Sequence, residues 1–122
     1  MPWNLNSDKP VYLQLMELIE RNILSGTYAT GERLPSVREL ATLASVNPNT
    51  MQKALQELER KGLVYAERTT GRYITTDTTL ISHMRHELGL EETNRYFEAM
   101  ATLGFTSEEI KQFLTNYKEG AK

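Results

Sequence analysis

Residues 34–62 read LPSVRELATLASVNPNTMQKALQELERKG, a stretch that contains the signals for two helices joined by a short turn. Ser36 is suited to cap the first helix, and Glu39, three residues later, can return a hydrogen bond to the Ser36 backbone. Asn47 is suited to cap the second helix, with Pro48 at the first helical position. The stretch therefore predicts a helix-turn-helix.

The second helix has one apolar and one polar face. Met51, Ala54, Leu55 and Leu58 recur at the spacing of a single buried stripe. Lys61-Gly62 ends the helix, because a cation suits its negative end and glycine tolerates a left-handed conformation. The opposite face carries Asn49, Thr50, Gln52, Lys53 and Gln56. This polar face is poor in glutamate near its start.

The chain before this stretch predicts another helix and a loop. Apolar residues recur at helical spacing between Pro10, which a first turn tolerates, and Ser25-Gly26, which closes the helix. Asp8 is a candidate cap for this helix. Residues 27–35 contain turn-forming residues and predict a loop.

After the second helix of the pair, the apolar pattern changes its period. Residues 63–68 and 72–76 are rich in β-branched and aromatic residues and flank Thr69-Thr70-Gly71, so they predict a β-hairpin. The fold class predicted is mainly α with a small β-hairpin. It comprises a winged helix-turn-helix over residues 1–76, followed by a short helical dimerisation tail over residues 77–122.

The tail predicts two helices with much apolar surface. Asp77 can cap a helix over residues 78–103, whose continuity at Gly89 the pattern leaves open, and Thr106 can cap a last short helix. The apolar side chains exceed what a small helical pair can bury against itself, which favours a homodimer. The predicted dimerisation residues are Leu80, Ile81, Met84, Leu88, Phe97, Met100, Ile110, Phe113 and Leu114.

Length and composition exclude several classes of protein. The 122 residues, 39% of them hydrophobic, suit one folded domain of ordinary size or one with a small appendage. The absence of cysteine excludes disulfides, thiolate catalysis and cysteine metal sites. No apolar run is long enough for a membrane span, and the first residues resemble no secretion signal, so we expect a cytoplasmic protein.

Charge is distributed unevenly along the chain. Residues 33–72 hold seven basic and four acidic residues, a balance of +3, whereas residues 77–122 hold five basic and eight acidic residues, a balance of −3. A basic first part beside an acidic tail suits a chain whose first part meets phosphate. The overall charge of −2 therefore conceals a basic candidate surface.

The polar start of the second helix has the chemistry needed to read the DNA major groove. In such a motif the first helix braces the DNA backbone while the start of the second presents hydrogen-bonding groups to base edges. Asn and Gln pair bidentately with adenine, Thr contacts a base or the thymine methyl, and Lys53 reaches guanine or phosphate. The hairpin would place Arg68 or Arg72 along the DNA backbone or minor groove. The alternative is a merely solvated helix face, which the scarcity of glutamate disfavours.

Several motifs occur in order over about residues 10–76. They are PVYLQL at 10–15, ILSG at 23–26, GERLPSVRELA at 31–41, VNPNT at 46–50 and ALQELERKGLV at 54–64. Together these motifs resemble the GntR family of bacterial regulators. The short acidic helical tail resembles the YtrA-like subfamily, for which the resemblance implies dimerisation through the tail and genes beside transporter operons.

The resemblance implies a transcriptional regulator, expected to act as a repressor, that binds double-stranded operator DNA as a homodimer at an inverted repeat. No cofactor and no membrane partner are expected, and a small-molecule effector is left open. Carried over by position, the DNA-binding residues are Ser36, Arg38, Asn47, Asn49, Thr50, Gln52, Lys53, Gly71 and Arg72.

The sequence departs from the family pattern at three places. Many relatives have basic residues where Pro48 and Gln52 stand, so we expect this chain to read a different or less guanine-centred sequence. The family's Gly-x-Gly of the wing is Thr69-Thr70-Gly71 here, with only the second glycine kept.

Two other classes of function compete with DNA binding. The first is a winged-helix module that binds a protein or RNA, which the polarity of residues 47–53 disfavours. The second is a small metal-dependent enzyme, for which His83 and His86 beside Glu87 are the only clustered ligands; they lack a further ligand and suit a surface or interface better. Trp3 and the tyrosines are better explained by packing than by a ligand pocket.

Overall fold

The structure is a computed structural model that describes residues 3–120. Its described part contains five helices and one two-stranded antiparallel sheet. The elements are α1 (Val11–Leu24), α2 (Val37–Ala44), α3 (Pro48–Arg60), β1 (Val64–Glu67), β2 (Gly71–Ile74), α4 (Thr78–Ala101) and α5 (Ser107–Asn116). This order confirms the predicted fold class, mainly helical with a small hairpin.

The core of the winged helix lies where α3 packs against α1 and α2. All four residues of the predicted α3 stripe are at most 1% exposed. The hairpin closes one side of this core with Val64 and Ile74, which are register partners and are both buried. Because α3 buries its apolar stripe there, its polar face points away from the core.

The helix ends follow the predicted capping signals, with one exception. Ser36 and Glu39 form a full capping box on α2, and Thr106 with Glu109 does the same on α5. Asn47 caps α3 through its side chain. The exception is α1, whose N-cap is Pro10 without a side-chain hydrogen bond, so the prediction for Asp8 is wrong.

Residues 27–35 form a loop, as predicted, and hydrogen bonds fix part of this loop to β2. The backbone N–H of Leu34 donates to Arg72 O at 2.9 Å, and that of Ile74 donates to Glu32 O at 2.8 Å. Arg33 forms a bridge with Tyr73 on the same edge. These hydrogen bonds to β2 thus fix the residues that precede α2 against the wing.

One tyrosine side chain in this segment has a shifted pKa. Burial of the ring, and secondarily the negative charge of Glu32, raise the pKa of Tyr28 above its ordinary value. Both causes act in the same direction because each disfavours the phenolate.

The chain divides into two compact units, the first ending at Met84 and the second beginning at Arg85. The sequence had suggested a boundary between residues 76 and 77. Leu80, Ile81 and Met84, on the first turns of α4, are half-buried against the core of the winged helix. These three predicted dimerisation residues therefore have contacts within their own subunit.

The second unit consists of the rest of α4 and of α5. α4 is continuous through Gly89. Ile110 is buried in this unit, and the rings of Phe105 and Phe113 meet edge to face at 5.1 Å. Much apolar surface stays exposed on it, namely at Leu90, Leu103, Phe113, Leu114 and Tyr117. The described part of the chain has no helix long and apolar enough to cross a membrane.

Candidate nucleic-acid interface

The start of α3 presents a small polar surface. Asn47 and Asn49 are exposed, and Thr50 and Gln52 are partly exposed beside them. Asn47 Oδ1 accepts a 2.7 Å hydrogen bond from the Asn49 backbone N–H. Capping therefore uses the oxygen of Asn47 and leaves its amide N–H groups to face outward.

Lys53 extends this surface one turn further along α3. Its side chain is exposed, and its Nζ lies 3.9 Å from the centroid of the Tyr12 ring of α1. This cation–π contact restrains the ammonium group without neutralising it. Tyr12, taken from the sequence as a packing residue, thus also holds one of the predicted DNA-binding residues.

Ser36 and Arg38 stand exposed at the start of α2. The Ser36 Oγ accepts a 3.1 Å hydrogen bond from the Glu39 N–H, so its own proton remains available to an outside acceptor. Arg38 has an exposed guanidinium group on the same turn. Both side chains therefore have donors that a phosphate oxygen could reach, and their contact with DNA stays a prediction.

Arg72 is placed differently from the exposed wing arginine that the sequence predicted. Its Nε donates to Glu59 Oε1 of α3 at 2.5 Å, and its side chain is only 18% exposed. Its Nη2 donates to Gln52 Oε1 at 3.4 Å, a long hydrogen bond. The side chain thus joins the wing to α3 rather than reaching outward.

The wing tip has another arginine that the sequence reasoning left unassigned. Gly71 has a φ of +119°, and a Cβ built there would lie 3.0 Å from Arg33 Nε, so the guanidinium of Arg33 lies across this glycine. Arg33 was counted in the basic segment, but only the pairing of residues 31–34 with β2 brings it to the wing. Arg33 and Arg68 both line the cleft between the wing and the approach to α2.

The cations of this face differ in whether they are neutralised. Within residues 3–120, Arg33, Arg38, Lys53 and Arg68 form no ion pair, whereas Arg72 is paired with Glu59. The unpaired cations are spread over α2, α3 and the wing. Such a surface can neutralise several phosphates at once while the start of α3 meets the bases.

The alternative metal site receives no support from the structure. His83 and His86 are both exposed on α4. Within the described residues, no group of three or more histidine, aspartate or glutamate side chains is arranged to hold a metal ion.

The model of the family described as "Bacterial regulatory proteins, gntR family" matches residues 11–74, which run from the start of α1 to the end of β2. The chain belongs to the GntR family. The match covers every element of the winged helix, from α1 to the second strand of the wing. The protein is a DNA-binding transcriptional regulator and not an enzyme.

Two relatives of this GntR-family chain come from Bacillus subtilis (strain 168). The uncharacterized HTH-type transcriptional regulator YhcF is 34% identical over 114 residues, which are 93% of this chain and 94% of YhcF. The HTH-type transcriptional repressor YtrA is 44% identical over 77 residues, 62% of this chain and 59% of YtrA. The similarity to YtrA confirms the YtrA-like resemblance, and that to YhcF extends through the helical tail.

Solved structures agree with this assignment. A GntR family transcriptional regulator from Listeria monocytogenes has a TM-score of 0.84 at 36% identity, covering 93% of this chain and all of that one. The DNA-binding domain of AraR in complex with operator ORX1 has a TM-score of 0.56 at 25% identity, covering 59% of this chain and 93% of that one. The fold is therefore shared with a protein seen on DNA.

Proposed function

We propose that this GntR-family protein is a transcriptional repressor that binds an inverted-repeat operator as a homodimer in the cytoplasm. The observation that carries the proposal is the juxtaposition of an exposed polar start of α3 with unpaired cations on α2 and the wing. The match to YtrA, whose name describes a repressor, supports repression rather than activation.

Within this proposal, base reading is the task of the α3 start. Asn47, Asn49 and Thr50 offer donors and acceptors to base edges, and Gln52 and Lys53 continue the row one turn later. In a helix-turn-helix the N-terminal residues of the second helix enter the major groove, which suits these positions.

Phosphate contacts belong to the elements on either side. Ser36 and Arg38 bind the DNA backbone from the start of α2, and the wing follows the backbone or minor groove with Gly71 at its tip. Arg33 and Arg68 supply the wing's positive charge, because both are unpaired within residues 3–120. Arg72 lies on the wing, but its effect on DNA binding is indirect and passes through the α3 side chains that it contacts.

Dimerisation is the task of the tail, proposed to span residues 77–122 and to follow a DNA-binding domain over residues 1–76. Leu88, Phe97 and Met100 are half-buried, and Phe113 and Leu114 are about half exposed, so a second copy would cover apolar surface. A two-fold dimer presents two reading helices about 34 Å apart, one turn of DNA, so its operator is an inverted repeat.

Selection from a pool of random duplex DNA tests the proposal directly. The full chain should enrich an inverted repeat with half-sites about one helical turn apart. Footprinting of the selected sequence should then show one protected site on each half, bound by one dimer. Enrichment of no sequence, or of a lone half-site bound by a monomer, would contradict the proposal. Lower transcription from a promoter carrying the site would establish repression.

A further inference from the structure

Three side chains form a continuous network between the wing and α3. Glu59 Oε1 accepts from Arg72 Nε at 2.5 Å, and Arg72 Nη2 in turn donates to Gln52 Oε1 at 3.4 Å. Glu59 and Gln52 lie seven residues apart, two turns along the same face of α3. Arg72 spans the gap between them from β2.

The wing backbone holds Arg72 at this position. Its carbonyl accepts from Leu34 N–H at 2.9 Å, and it is the register partner of Ala66 in the hairpin. Residues on a strand alternate between faces, so Arg72 shares the face of Ile74, which enters the core. Arg72 therefore points toward α3 for the same reason that Ile74 does.

The chemistry of arginine determines how the Gln52 amide is oriented. A guanidinium group has only donors, so the atom of Gln52 that faces it has to be the carbonyl oxygen. The Gln52 amide nitrogen then points away from Arg72, with two N–H groups to donate. The network thus turns the carbonyl oxygen of Gln52 toward Arg72 and leaves both amide N–H groups facing away from it.

This orientation changes which base Gln52 can read. Bidentate pairing of glutamine with adenine needs both an acceptor for the adenine amino group and a donor for N7. Guanine presents two acceptors, N7 and O6, in the major groove. A glutamine that turns its carbonyl oxygen toward Arg72 and its amide N–H groups outward matches guanine, whereas adenine accepts only at N7 and places its amino group against the glutamine amino group.

We propose that Arg72, held by Glu59, makes Gln52 a hydrogen-bond donor toward DNA, so that Gln52 selects guanine over adenine. Arg72 and Glu59 are positioning residues, and Gln52 is the residue that touches the base. The inference rests on the proposed function. The departures at Pro48 and Gln52 favoured a different or less guanine-centred sequence, whereas at this one position the inference favours guanine. The positive charge of Arg72 is paired with the carboxylate of Glu59, so the arginine contributes little to phosphate binding.

The test compares base preferences of the full chain and its variants, measured by sequencing the DNA selected from a pool randomised in both half-sites. The base pair read by Gln52 is identified as the position in the selected DNA at which the Gln52→Ala variant loses its base preference. In the wild-type chain that position should favour guanine over adenine on the order of tenfold. In Arg72→Met, which keeps a long side chain but has no donor, the ratio should shift about tenfold toward adenine.

Two controls separate the orientation of the Gln52 amide from the loss of a positive charge and from a general loss of structure. Arg68→Met removes another wing cation that does not contact Gln52, so it should weaken binding to all sequences and leave the ratio unchanged. Arg72→Met placed in the Gln52→Ala background should produce no shift at that position, because the group that Arg72 orients is gone. Thermal unfolding checks that each variant is folded.

Each outcome bears on either this inference or the proposed function. A folded Arg72→Met with the wild-type ratio overturns the inference, as does a Gln52→Ala variant that loses no preference. If Arg72→Met does not fold, the wild-type ratio decides, and a preference for adenine overturns the inference. Absence of any selected sequence contradicts the proposed function instead, so the two failures are distinguishable.

Discussion

Residues of one type have different tasks in this protein because of where their side chains lie. Arg38 at the start of α2 is exposed and unpaired within residues 3–120, whereas Arg72 on β2 is 18% exposed and paired with Glu59. A free guanidinium can release counterions from DNA when it binds phosphate. A paired one first has to give up its carboxylate partner. The local environment, more than residue type, therefore determines which guanidinium group is available to a phosphate.

Arg38→Ala should weaken DNA binding and reduce its dependence on salt. Each phosphate contact contributes a slope of about 0.9 to the plot of log affinity against log salt concentration, and a dimer contributes Arg38 twice. Binding isotherms by fluorescence anisotropy at several salt concentrations measure the slope. Arg85→Ala, which removes an exposed cation of α4, is the control and should leave it unchanged. An unaltered slope in Arg38→Ala would remove this residue from the contact set.

Asn49→Ala should affect sequence choice more than general affinity. Asn49 is exposed at the start of α3, and its side chain makes no cap, since the cap uses Asn47 Oδ1 and the Asn49 backbone. Loss of a base contact costs about 1–3 kcal/mol on the best operator and little on random DNA. Competition binding with both DNAs measures the difference. Equal losses on the two would mean that Asn49 does not read bases.

At the scale of elements, the wing depends on one glycine and on the segment before α2. Gly71 begins β2 with a φ of +119°, a conformation that side chains with a Cβ rarely adopt. The three-residue region before it provides the turn, and hydrogen bonds from residues 31–34 cover the outer edge of β2. The wing is therefore a two-stranded hairpin whose outer edge is hydrogen-bonded to the loop before α2.

Gly71→Ala should destabilise the protein by about 1–3 kcal/mol, because the new Cβ strains the backbone at positive φ and displaces the Arg33 guanidinium. Urea unfolding followed by circular dichroism measures the change. Gly89→Ala is the matched control, since Gly89 lies within α4 with open space around it and should gain about 1 kcal/mol of helix propensity. A Gly71→Ala protein as stable as the wild type would show that the wing tip is not constrained.

Tyr28, in the segment before α2, makes the free energy of unfolding depend on pH in the alkaline range. Its pKa is raised in the folded state, so its neutral form favours folding below the unfolded value of about 10, and this stability is lost as pH rises through the folded pKa. Tyr28→Phe removes the ionisation, so its unfolding free energy should fall less steeply above pH 10 than that of the wild type. Tyr117→Phe, at an exposed tail position, is the control. Identical alkaline slopes for wild type and Tyr28→Phe would contradict the expectation.

At the scale of the whole molecule, the chain joins a well-packed winged helix to a tail with little core of its own. The first unit includes the beginning of α4, because Leu80, Ile81 and Met84 cover its core. The second unit buries only Ile110 fully among its described apolar residues. A unit with one buried side chain and several exposed ones gains stability when a second copy covers them.

Truncation should separate folding from dimerisation. A chain ending at Met84 should unfold cooperatively and sediment as a monomer, and it should bind a half-site weakly because the avidity of joined sites is lost. A chain ending at Thr76 should be less stable, because it lacks the three α4 side chains that cover the core. Analytical ultracentrifugation and thermal unfolding measure both effects. A full-length monomer at micromolar concentration, with the operator affinity of the shorter chain, would contradict the dimer model.

The sequence by itself determined the elements whose signals are local. The capping boxes at Ser36 and Thr106, the Asn47 cap and the α3 stripe each involve residues within about seven positions, and all were predicted correctly. Turns and periodicity follow from such short-range geometry. The family resemblance followed from the order of these motifs, and with it the DNA-binding function.

Tertiary structure decided what depends on partners distant in the chain. The ion pair of Arg72 joins residues 13 positions apart, and its contact with Gln52 joins residues 20 apart, so no local pattern could show that this arginine faces inward. The same holds for Arg33 at the wing tip and for the α4 residues that cover the core. A side chain's spacing predicts the face of its element, but only the packing of elements determines whether that face meets a carboxylate, a core or solvent.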